Sequence, residues 1–150
     1  MTNDFVYKTF IQTTPQKVWD AITTPEFTRQ YWRHENVSDW KKDSSWKHTN
    51  SATGDVYVIG KVLECDPPKK LVLSWAAPSD EKDVSEVTFE IEETAPGVVC
   101  LNVVHSKLST DMGSKISQGW PRVLSNLKSL LETGKTIDVW TGKPSCSQAA

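Results

Sequence analysis

Apolar and polar residues alternate along most of the first two thirds of the chain, and the period then lengthens to that of a helix. Phe5 to Thr13 reads as a strand, with Phe5, Tyr7, Thr9 and Ile11 on one face and Val6, Lys8 and Phe10 on the other. Thr14-Pro15 opens a helix, Thr14 as N-cap and Pro15 at the first helical position, and Val18, Trp19 and Ile22 form its apolar face. Thr24-Pro25 restarts the pattern with a second short helix, Glu26 to Gln30, carrying Phe27 and Tyr31. From about Val37 the pattern turns to strands. Ser45 to Asn50 is a short candidate around Trp46, and Val56 to Cys65 is a longer one in which Val56, Val58, Gly60 and Val62 alternate with Tyr57, Ile59, Lys61 and Leu63. Asp66-Pro67-Pro68 ends it, because proline has no N–H for a ladder. Lys70 to Ala76 follows, with Leu71, Leu73 and Trp75 on one side, then a polar loop from Pro78 to Asp83. Glu86 to Thr94 alternates cleanly, Ala95-Pro96-Gly97 turns, and Val98 to Lys107 is the last strand. Links this short predict an antiparallel meander.

Ile116, Trp120, Val123, Leu124, Leu127 and Leu131 then recur at three- and four-residue steps, which predicts a long amphipathic helix. Its outer face is expected to carry Lys115, Arg122, Asn126, Lys128, Ser129 and Glu132, and Gly134 fits the residue just past its end. Pro121 lacks an N–H and should kink this helix or mark the start of its main run. The predicted organisation is one α+β domain over residues 1–134 and a C-terminal tail, 135–150, that holds Trp140 and is expected to be partly disordered. A curved sheet must cover its concave face. One long helix can do so, and any volume left between the two is a cavity.

Composition narrows the function classes. The 150 residues carry 17 basic and 19 acidic side chains, so no clustered basic excess marks a nucleic-acid surface. No run approaches the roughly 18 apolar residues of a membrane span, and the first residues lack the pattern of a secretory signal. Three widely spaced cysteines, Cys65, Cys100 and Cys146, fit a reduced, cytoplasmic setting. Seven tryptophans are many for a chain of this size. Each pairs a large apolar body with an N–H to satisfy, so they suit both a core and the wall of a cavity.

No phosphate-binding loop, nucleophile elbow or zinc-ligand spacing occurs, so neither a metal nor a cofactor is expected. His34, His48 and His105 are scattered. His34-Glu35 is read as a solvated loop pair at the mouth of the fold rather than a base with its carboxylate, and His105 as a satisfied core residue or a polar group at the wall of a cavity. The side chains expected to line a ligand site are Trp32, Trp46, Tyr57, Trp75 and His105, with Ile116, Trp120, Val123 and Leu124 from the terminal helix. Filling of the core is the alternative role for the aromatics, and one register slip would turn Trp46 and Tyr57 outward. Arg33 and Lys61 are either surface charges or partners for a carboxylate on a guest.

Five stretches in order carry a family resemblance. They are residues 14–26 (Thr14 to Glu26), 60–71 (Gly60 to Leu71), Leu73-Ser74-Trp75, residues 85–90, and Gly119-Trp120 followed by Leu124, Leu127 and Leu131. Together they resemble START-like, or SRPBCC, domains, in particular those related to the C-terminal domain of the activator of heat shock protein 90 ATPase, over about residues 5–134. Pro121 and the tail depart from that pattern. The resemblance implies a helix-grip fold: a curved antiparallel sheet, two short helices and a long C-terminal helix that enclose a cavity. It implies a binding module for an apolar, lipid-like or polyketide-like molecule. The alternatives it leaves are a co-chaperone-like protein-interaction domain, and a cyclase- or hydrolase-like enzyme acting on a hydrophobic substrate. The first strand begins near residue 5, so no separate N-terminal domain is expected ahead of it, and a full activator role is expected less than the binding module.

Overall fold

Seven strands pair in the order β1-β7-β6-β5-β4-β3-β2, all antiparallel, in a computed structural model that describes residues 4–137 and Val139. They are β1 (Phe5–Gln12), β2 (His34–Ser38), β3 (Ser45–Asn50), β4 (Val56–Asp66), β5 (Lys70–Ala77), β6 (Asp80–Ala95) and β7 (Val98–Ser106). The sheet curls into a half-barrel. Between β1 and β2 lie α1 (Pro15–Thr23) and α2 (Pro25–Trp32), and α3 (Thr110–Thr133) follows β7. This is the helix-grip arrangement expected from the sequence.

The local signals act as predicted at both ends of the helices. Thr14 accepts a hydrogen bond from the Lys17 N–H at 3.3 Å, ahead of Pro15. Gly134 takes a left-handed conformation (φ 79°) and donates to the Leu130 carbonyl, which ends α3. The inward faces of the strands carry Ile11, Val62, Leu71, Leu73, Val87, Phe89, Leu101 and Val103. These meet Trp120, Val123, Leu124 and Leu127 of α3 in one core.

Several expectations need correction. The second helix runs on to Trp32 and stops where Arg33 adopts a left-handed conformation. His34-Glu35 is not a loop pair but the start of β2, where His34 pairs with Asn50 and Glu35 with Thr49. The polar segment after Pro78 is mostly strand, because Ala77 pairs with Asp80 and leaves a two-residue turn; the register then shifts before Ser85 pairs with Trp75. Pro121 does not mark the start of α3, which begins at Thr110 behind the Ser109 cap and runs through the proline. Asn126 is buried rather than outward: its amide donates to the Tyr31 carbonyl at 3.0 Å and its oxygen accepts from Ile137 N–H. Lys135 is tied back to the helix as well, its carbonyl accepting from Ser129. Trp140, Cys146 and the end of the expected tail lie outside the described residues.

Gly60 shows why one small residue is needed in β4. The Trp46 indole N–H crosses it to reach the Ser74 carbonyl at 2.7 Å, and a Cβ on Gly60 would lie 2.0 Å from that carbonyl oxygen. The obstructing atom is backbone in the centre of a sheet and has little freedom to retreat. Gly60→Ala is therefore expected to destabilise the fold by about 3 kcal/mol. Urea denaturation would read the change, and an unaltered midpoint would contradict this packing.

Candidate functional site

The part of the sheet from β2 to β6 does not touch α3 everywhere. A cavity of about 510 Å³ lies between them, within the usual span of small-molecule sites of roughly 300–1,000 Å³. Trp32 stands at the end of α2, Trp75 rises from β5, and Trp120, Ile116 and Val123 face them from α3. The rings form one tilted array, with centroids 5.5 Å apart for Trp32 and Trp120 and 5.7 Å for Trp75 and Trp120. Tyr57 reaches the wall from an irregular position. In the pairing of β3 with β4, His48 opposes Val58 and Thr49 opposes Val56, so Tyr57 is the extra residue of a bulge. Its ring lies 5.0 Å from that of His34. Exposed Asp80 and Asp111, with half-buried Asp83, lie on the same walls, and no lysine or arginine does so among the described residues.

Six of the residues expected from sequence therefore meet at one cavity: Trp32, Tyr57, Trp75, Ile116, Trp120 and Val123. Trp46, His105 and Leu124 do not line it. Trp46 lies against Trp75, at 5.5 Å between centroids, with its indole held by Ser74. Leu124 belongs to the core stripe of α3. His105 is fully buried, with Trp75 and Trp120 against its ring. Arg33 and Lys61 are exposed and stand away from the cavity, so neither meets a carboxylate there. A second depression, between Pro15 and the Glu90–Glu93 stretch, has charged walls and no aromatic ring.

Two hydrogen-bonded chains of side chains support the walls. In the first, the Trp120 indole donates to His105 Nδ1 at 3.1 Å. The proton of this neutral ring is then on Nε2, which donates to Ser85 Oγ at 2.7 Å. Ser85 in turn lies 3.1 Å from both the Trp75 carbonyl and Met112 Sδ. A serine activated by histidine needs the opposite arrangement, a lone pair on the ring facing the hydroxyl. This pair is a structural brace. Burial pushes the His105 ring down to about 4, which keeps it neutral.

The second chain was not foreseen. The Asn36 amide donates to the Ile22 carbonyl at 3.0 Å, which turns its oxygen toward His48 Nδ1 at 2.7 Å. His48 Nδ1 must then be the donor, and His48 Nε2 the acceptor for His34 Nδ1 at 2.9 Å. Burial, with the neighbouring His34, pushes His48 down to about 3. Burial also lowers His34, which is less deeply enclosed. Both His34 and His48 line the cavity. Asn36 and His48 sit on inward positions of β2 and β3, so the alternation of Trp46 with His48 was the available signal. It was obscured because β2 lacks an apolar stripe.

No group of three or more metal-ligating side chains is present among the described residues. Cys65 and Cys100 are unpaired thiols in β4 and β7. No described helix is long and apolar enough to cross a membrane.

The description that matches the chain among protein families is Activator of Hsp90 ATPase homolog 1-like protein, over residues 12–132. No curated protein matches. Among solved structures, CalU16 from Micromonospora echinospora superposes with a TM-score of 0.73 at 21% identity, covering 91% of this chain and 78% of that one. The Aha1 dimer from Colwellia psychrerythraea gives 0.73 at 23% identity, over 89% of this chain and 98% of that one. PFC0360w, an HSP90 activator from Plasmodium falciparum, gives 0.73 at 20% identity, over 85% and 95%. At these identities the likeness is one of fold.

Proposed function

This chain belongs to the Activator of Hsp90 ATPase homolog 1-like protein family, and from that premise we propose that it is a binding module for an apolar small molecule held between the sheet and α3. The observation that carries this reading is the cavity itself: about 510 Å³, walled by Trp32, Trp75, Trp120, Ile116 and Val123, with a few polar groups among them. Apolar walls with sparse, placed polar groups are the usual build of a small-molecule site. A ring-shaped guest, of the polyketide kind, would stack on the indoles.

Gly119 offers a clean test. It lines the cavity, and an added Cβ would meet nothing within 4 Å. Gly119→Leu should fill the space while removing a glycine from a helix interior, which raises stability by up to about 1 kcal/mol. Native mass spectrometry of freshly purified protein, followed by denaturation and extraction, is expected to show a co-purifying apolar compound that the Gly119→Leu protein lacks. A bare chain mass, with no uptake of 2-methoxynaphthalene in equilibrium dialysis, would overturn the binding reading.

A further inference from the structure

We infer that the cavity selects a guest bearing a hydroxyl donor, a phenol or an enol, whose O–H is accepted by His34 Nε2. This deepens the binding reading above and rests on it. The inference follows from proton placement along a chain of three side chains. The Ile22 carbonyl can only accept, so it fixes the Asn36 amide with its N–H₂ toward Ile22 and its oxygen toward His48. That oxygen can only accept, so His48 carries its proton on Nδ1 and presents a lone pair on Nε2. The lone pair in turn requires the N–H of His34 to be on Nδ1. A neutral His34 then has one remaining polar atom, Nε2, which is an acceptor and has no hydrogen-bond partner among the described residues.

The surroundings favour a neutral donor over an anion. His34 stands beside Tyr57 on the cavity wall, and Asp80, Asp83 and Asp111 supply the only formal charges among the described lining residues. A guest carboxylate would add negative charge to a cavity whose described formal charges are already negative and would set a lone pair against the Nε2 lone pair. A hydroxyl on an aromatic ring meets both requirements, since its ring stacks on the indoles and its O–H points to His34. A half-buried His34 leaves Nε2 open to solvent, and a guest that covers this acceptor without donating to it leaves it unpaired, which disfavours an isostere that lacks the donor far more than a missing methylene would.

Equilibrium dialysis with 2-naphthol and 2-methoxynaphthalene tests this, since the two share a ring system and differ in the donor. The wild-type protein should bind 2-naphthol at least about tenfold more tightly, as expected for one desolvated hydrogen bond. In His34→Phe the two affinities should become equal. Equal affinities in the wild-type protein, or a preference that survives in His34→Phe, would overturn the inference and leave the binding reading standing. Uptake of neither probe would overturn both. A reading that needs no variant comes from long-range ¹H–¹⁵N correlation spectra of the histidine rings: protonation of His34 on Nδ1 is expected, and protonation on Nε2 would refute the placement.

Discussion

Replacing Trp120 with alanine is expected to remove about 5 kcal/mol of stability, a large share of the roughly 5–15 kcal/mol that holds a domain together. Three effects add. The indole is 3% exposed and packs against Trp32, Trp75 and Phe89, so its loss opens a void at the junction of α3 and the sheet. Truncating a buried tryptophan costs about 3–5 kcal/mol by itself. The substitution also removes the N–H that His105 Nδ1 accepts, and a buried acceptor left alone costs a further 1–3 kcal/mol, approximately. Trp120→Phe helps to separate these terms, because it keeps an aromatic ring in the site while it removes the hydrogen bond. Chemical denaturation of both variants would give the two losses, and a cost below about 2 kcal/mol for the alanine variant would refute the keystone role.

Acidification should weaken the fold well before the carboxylates titrate. Burial holds His48 at about 3 and His105 at about 4, against an unfolded value of 6.5. Between those values the unfolded chain binds protons that the folded chain refuses, so stability rises with pH across this window. The contribution of each ring is complete above about 6.5 and falls by about 1.4 kcal/mol for each pH unit below it. By pH 4 the loss should reach about 3 kcal/mol for each of the two rings. Glu132 acts in a separate, lower window. The hydrogen bonds from Lys128 and from the Gln12 N–H lower its carboxyl, so its contribution is present above the usual carboxylate range and is lost as pH falls through the lowered value. Unfolding free energies measured at intervals from neutral pH downward should show the first decline near 6.5. A flat profile down to 5 would mean that these rings are not held neutral by burial.

The same residues show how far the chain can be read without its fold. Strand alternation from Val56 to Lys107, the Thr14-Pro15 helix start and the Gly134 stop are set by local rules, namely a period of two, a capping hydroxyl, and a residue free to adopt positive φ. The order of those elements was enough for the helix-grip arrangement. Ile116, Trp120 and Val123 of the apolar face of α3 stand on the cavity wall, while Leu124 of the same face packs into the core, because a helix presents its whole stripe to whatever it packs against.

What lay beyond the sequence was every feature made by contact between distant segments. Lys128 and Glu132 read as part of the outer face of the terminal helix, yet they also hold the Phe10 carbonyl and the Gln12 N–H of the edge strand. Asn126 looked outward, and its burial depends on a carbonyl at the end of α2 that no nearby residue announces. Tyr57 reaches the cavity through a bulge, a register event that requires the partner strand. His34, Asn36 and His48 carry no helical or strand stripe of their own, and only the pairing of β2 with β3 brings them together. Sequence by itself determined most of the strands and helices and most of their apolar faces, because periodicity and capping act within a few residues. The volume left between sheet and helix, and the proton carried by each ring beside it, were decided by tertiary structure, because both depend on side chains that meet across the fold.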